Sequence, residues 1–113
     1  MQHEESLIQS DIAKTLSLLG VFLFAVPNDA LGAASMARVG RYRAMGLRAG
    51  VADLILMGDD GRAYFLEIKT PTGRLSEAQE RFRRLCLERG WPYAIARSVA
   101  EATHQATVWG LIK

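Results

Sequence analysis

Apolar residues recur at Leu7, Ile8, Ile12, Leu16 and Leu19, the spacing of one helix face. Residues 4–19 therefore predict an amphipathic helix, stopped by Gly20. The pattern then changes. Residues 21–26 are apolar without interruption up to Pro27, which predicts a short buried strand. Residues 28–50 keep neither period and contain Gly32, Gly40, Gly46 and Gly50. That stretch predicts a partly irregular segment with a short helix around 34–45. A second strand follows over 51–57. Gly58-Asp59-Asp60-Gly61 is tight-turn chemistry, because Asp-Gly supplies the positive φ that a hairpin needs. Residues 62–69 then form a third strand, antiparallel to the second, broken by Pro71 and Gly73. Ser76 opens a helix to about residue 88, with Phe82 and Leu85 on its inner side and Gly90 as its stop. Residues 92–96 are a fourth strand, reached by a helical crossover and so parallel to the third. Ser98-x-x-Glu101 is a capping box for a last helix to about residue 111. The order is αβββαβα: an α/β domain with a central mixed four-stranded sheet flanked by helices.

Composition narrows the class. The chain has 113 residues, half of them apolar and 23% charged, which is the balance of one globular domain rather than a disordered segment. No apolar run approaches the ~18 to 20 residues of a membrane span, and the polar, acidic Met-Gln-His-Glu-Glu does not read as a secretory signal. Cys86 has no second cysteine to pair with, so a reducing compartment, the cytoplasm, is expected. With only His3 and His104 besides Cys86, a Cys/His zinc site is disfavoured. A metal here would be held by carboxylate oxygens, which favours Mg²⁺ or Mn²⁺. Net charge is +2, and its distribution says more than its size. Between Asp29 and Asp53 no residue is acidic, whereas Arg38, Arg41, Arg43 and Arg48 are all there. Such a run either faces phosphate or is an ordinary solvated face.

Alternate residues of a strand share a face, so Glu67 and Lys69 point one way and Leu66 and Ile68 the other. A hairpin turning at Asp59-Asp60 sets Met57 near Ala63 and Asp53 near Glu67. Two carboxylates and an amine then share one sheet face, with paired Cβ atoms about 5 Å apart. A slip of one residue would separate them. Carboxylates that close repel each other, and partial burial aggravates this. A divalent cation relieves the repulsion and can polarise a phosphodiester, while the lysine can orient water or neutralise developing charge. An isolated E-x-K more often forms a surface ion pair. Here the charges interrupt strands that are otherwise apolar, which weakens that alternative.

These residues carry a resemblance. Gly50-Val51-Ala52-Asp53-Leu54-Ile55-Leu56, a turn, and Phe65-Leu66-Glu67-Ile68-Lys69-Thr70-Pro71 resemble the PD-(D/E)XK nuclease superfamily, and more narrowly its VRR-NUC family. Gly73-Arg74-Leu75-Ser76-Glu77-Ala78-Gln79, Gly90-Trp91-Pro92-Tyr93 and Val99-Ala100-Glu101-Ala102 extend the similarity, as do Glu5-Ser6-Leu7-Ile8-Gln9 and Pro27-Asn28 upstream. One departure is Ala52 in place of the motif's proline. The resemblance implies a restriction-endonuclease-like fold over residues 1–113, as a stand-alone nuclease domain. It implies Asp53 and Glu67 as metal ligands, the Ile68 carbonyl as a further one, and Lys69 as the catalytic lysine. It adds Glu5 to the acidic cluster, with Glu4 as the neighbouring alternative, and places Gln79 near the active site. Gln79 has a second reading, since Ser76-x-x-Gln79 is itself a capping box.

The function implied is a metal-dependent endonuclease acting on branched DNA such as Holliday junctions or flaps in replication and repair. A homodimer is implied too, in the cytoplasm of a bacterium or encoded by a phage within one. Arg38, Arg41, Tyr42, Arg43 and Arg48 are the candidate nucleic-acid contacts, Tyr42 standing between two arginines. Trp91 and Trp109 read as core, His3 and His104 as surface. The alternative is a non-catalytic nucleic-acid-binding module on the same fold. A restriction enzyme with base-specific readout ranks last, since no dedicated recognition element is visible.

Overall fold

Ile12 and Leu16 lie one helical turn apart and are fully buried. They mark the inner face of α1, which spans His3–Leu18. Their partners are Ala102 and Ala106, also one turn apart, on the last helix, α4 (Val99–Val108). Small residues there let the two helices approach the sheet together. The computed structural model describes residues 3–27 and 36–113. Besides these two helices they form β1 (Phe22–Ala25), α2 (Met36–Ala44), β2 (Leu54–Met57) and β3 (Ala63–Ile68). They also form α3 (Glu77–Arg89) and β4 (Tyr93–Ala96).

The sheet is mixed, as expected, and runs β1-β2-β3-β4. β2 and β3 are antiparallel with Met57 opposite Ala63 and Leu54 opposite Leu66. The turn between them is closed by the Gly61 N–H on the Gly58 carbonyl at 2.9 Å, and the Asp60 carboxylate accepts the Arg62 N–H. Gly61, at φ 87°, takes the conformation that made Asp-Gly the predictor of this hairpin. β4 lies parallel to β3, with Glu67 beside Ile95 and Ile68 beside Ala96.

On one side of the sheet Leu54, Leu56, Leu66 and Ile68 meet α1 and α4 in a continuous apolar core. Each such side chain stabilises the fold by roughly 1.5–3 kcal/mol relative to an exposed one. On the other side α3 lays Phe82 edge-on against Phe65, at 5.3 Å, and Tyr93, at 6.0 Å. Two caps hold the helices in place. Ser76 and Gln79 form the reciprocal capping box. At α4 Ser98 accepts from the Glu101 N–H, but Glu101 returns its bond to Arg97 N rather than Ser98 N.

Two expectations are corrected. The first strand is not buried: β1 is an edge strand, with Phe22 69% and Phe24 47% exposed. Only Leu23 turns toward the core, because α1 is the helix that packs on β1 and it covers one face. Trp91 is 40% exposed, under the Arg89 guanidinium, while Trp109 does pack against Tyr64. The expected helix around 34–45 is present as α2 from Met36, its earlier residues lying outside those described, as does Asn28. Among the described residues no helix is long and apolar enough to cross a membrane.

Candidate metal centre

β2 stops its ladder at Leu54, and Asp53 sits at a bend just ahead of it. The N–H groups of Phe65 and Lys69 point to the β4 side, onto the Pro92 and Ala96 carbonyls. That of Ile68 therefore points to the β2 side. There it donates to Asp53 Oδ2 at 2.8 Å. A carboxylate thus takes the ladder position that a backbone carbonyl of β2 no longer fills, and this locks the Asp53 side chain beside Glu67. Continuing the register one step past Leu54–Leu66 puts Asp53 opposite Glu67, as the hairpin requires.

Glu67 has no exposed surface, Asp53 is 4% exposed and Lys69 7%. Gln79, at the start of α3, donates its Nε2–H to Glu67 Oε2 at 3.2 Å. Its Oε1 accepts the Ser76 N–H, so both readings of Gln79 hold in one side chain: the cap fixes the amide, and the amide fixes Glu67. Lys69 Nζ stands 3.8 Å from Glu67 Oε2 and 4.0 Å from Glu5 Oε2. Glu5 comes from the first turn of α1, which reaches this end of the sheet. It is half-buried, whereas Glu4 is exposed. One oxygen from each of Glu5, Asp53 and Glu67 lies within 4.8 Å of the others.

The electrostatics are those of crowded carboxylates. Burial, and then the adjoining charge of Asp53 and hydrogen bonding to it, push the Glu67 carboxyl up to about 9, Lys69 opposing only in part. Glu67 Oε1 is buried without a hydrogen-bond partner among the described residues. A buried acceptor with no donor is costly, and the ligand atoms that Glu5, Asp53 and Glu67 offer are all carboxylate oxygens. A hard divalent cation fits both facts.

The remaining candidates scatter more. Ile68 buries its side chain in the core, and its N–H holds the Asp53 carboxylate. Arg38, Arg41 and Arg43 are exposed on α2, Tyr42 is half-buried between the last two, and Arg48 is exposed on the following segment. Arg43 and Arg48 line one cleft; Arg38 and Arg41 do not. Sequence reasoning missed Arg97. Its Nη1 donates to the carbonyls of Thr70 and Gly73, at 2.6 and 2.7 Å, pinning the turn that follows Lys69. A Cβ on Gly73 would sit 3.5 Å from Lys69 Cδ, so this turn lies directly against the lysine's stem. No local pattern marks Arg97, since its partners are more than twenty residues away. Missed too was the role of Gly50. At φ 85° it runs so close to α3 that a Cβ would collide with the Ala78 carbonyl.

Two solved structures share this architecture. One, described as a VRR_NUC domain, aligns with a TM-score of 0.67 at 16% identity, over 94% of this chain and 97% of its own. The other, a VRR_NUC domain protein, aligns at 0.69 and 17% identity, over 99% and 90%. At such identities they show the fold. No protein of curated function matches the chain. The family model of the VRR-NUC domain matches residues 3–100, which hold every residue of the acidic cluster, and the chain belongs to that family of nuclease domains.

Proposed function

We propose that this chain is a Mg²⁺- or Mn²⁺-dependent endonuclease that hydrolyses phosphodiester bonds in DNA, selective for branched forms such as Holliday junctions or flaps. The observation that carries the reading is the buried, unpartnered Glu67 Oε1 inside a three-carboxylate cluster beside Lys69. Family membership supports the nuclease class. Glu5, Asp53 and Glu67, with the Ile68 carbonyl, would hold the cation. When bound, it supplies charge neutralisation and Lewis acidity at the scissile phosphate.

The chain's own groups do the rest. Lys69 places an ammonium among the carboxylates, where it orients the attacking water and offsets negative charge developing on the phosphate. Gln79 occupies Glu67 Oε2 and leaves Oε1 for the cation. The Ile68 N–H occupies Asp53 Oδ2 in the same way. Arg38, Arg41, Tyr42, Arg43 and Arg48 contact the DNA backbone. A homodimer, presenting two such centres to one branched substrate, is part of the same reading.

The test is incubation with four-way junctions, flaps and plain duplex in Mg²⁺ or Mn²⁺. Branched substrates should be cut in preference, and Asp53→Ala or Lys69→Ala should lower the rate by about a hundredfold or more. Absence of cleavage on every substrate, or cleavage that survives both substitutions, overturns the proposal. Salt-sensitive binding without cleavage would favour the non-catalytic module instead.

A further inference from the structure

The segment after α2 crosses the N-terminal half of α3, and Gly50 is where the two backbones touch. Beside that crossing lies a cleft of about 440 Å³, within the roughly 300–1,000 Å³ of small-molecule sites. Arg43 of α2, Arg48 of the crossing segment and Arg81 of α3 all line it. Leu47, Phe82 and Leu85 supply its apolar lining, and none of the described residues that line it is acidic. Arg81 belongs to a different stretch of sequence from the other two, so the convergence is a product of the fold.

Cations beside an apolar wall match a nucleotide, with a phosphate for the arginines and a base for the wall. Duplex DNA offers the phosphate but keeps its bases stacked inside. Only an unpaired nucleotide can present both. The cleft is also continuous with the metal centre along the chain. Val51, two residues before Asp53, lines it, as does Ala78, the neighbour of Gln79.

We infer that this cleft binds one unpaired nucleotide of the DNA strand, its phosphate among Arg43, Arg48 and Arg81 and its base against Leu47, Phe82 and Leu85. The inference rests on the nuclease reading and deepens it: an unpaired nucleotide exists at a flap and not in plain duplex.

Binding to the full chain without divalent metal separates this idea from catalysis. A short oligothymidylate, an abasic strand of equal length and a duplex are compared by fluorescence anisotropy over a range of salt. The oligothymidylate should bind tightest. Arg48→Ala and Arg81→Ala, both at exposed positions, should each weaken the oligothymidylate and lower the slope of log affinity against log salt, by about 0.7 at most for the one phosphate they share. Leu47→Ala should weaken the oligothymidylate about fivefold with the slope unchanged, and should leave the abasic strand as it was. Unaltered melting curves exclude misfolding. Equal binding of all three ligands, or oligothymidylate binding insensitive to both arginine variants, overturns the inference even if DNA is cleaved. Conversely, a chain that binds as expected and cuts nothing leaves the cleft assigned and removes the nuclease reading.

Discussion

Glu67 is a carboxylate without exposed surface, between Asp53 and Lys69. Its proton is held far above the ordinary carboxylate range, up to about 9, first by burial and then by Asp53. The folded pKa is raised, so the folded chain binds the proton more tightly than the unfolded chain does. The associated stability is complete below about pH 4.5 and is lost as pH rises toward 9, at no more than about 1.4 kcal/mol per unit. Metal-free protein should therefore melt at progressively lower temperature across that window. Glu67→Gln, which cannot ionise, should flatten the decline. Added Mn²⁺ should reverse it, because the cation competes with the proton and gains as pH rises. Parallel pH profiles for the wild type and Glu67→Gln would show that the proton does not reside on this side chain.

At the level of elements, β3 and the turn after it set the site. Thr70 is buried, and the Thr70 and Gly73 carbonyls share one guanidinium. Arg97→Ala removes a charged donor from both, which should destabilise the chain by about 2 kcal/mol, read as a lower denaturant midpoint. With the turn loosened against Lys69, cleavage should fall more than DNA binding does. Arg97→Lys, with a charge but no planar fork, should recover only part of either loss. An unchanged midpoint in Arg97→Ala would mean that the turn is held by other contacts. The hairpin was readable in advance because Asp-Gly chemistry sets the turn, the turn sets the register, and the register puts Asp53 opposite Glu67. Arg97 was not, because its bonds join β4 to a turn remote in sequence.

Across the whole molecule the sheet is asymmetric. One side is closed by α1 and α4; on the other, α3 covers β3 and β4 while Phe22 and Phe24 of edge strand β1 stay exposed. The proposed homodimer predicts a two-chain species in sedimentation velocity at the concentrations used for cleavage. Combining Phe22→Ser with Phe24→Ser distinguishes a dimer built on this edge, which would dissociate, from one built elsewhere, which would not. A monomer under cleaving conditions would remove the dimer from the reading and leave the metal centre intact.

Local chemistry was enough for the element order, the hairpin, the Ser76 and Ser98 caps and the pairing of Asp53 with Glu67. Each depends on periodicity or on residues a few positions apart. Tertiary structure alone chose Glu5 over Glu4, since that depends on how α1 is rotated against the sheet. It alone exposed β1, because a run of apolar residues does not say which strand lies at an edge. It alone brought Arg97 to Thr70 and set Arg81 in the cleft that Arg43 and Arg48 line, joining segments that nothing in the chain's local pattern connects.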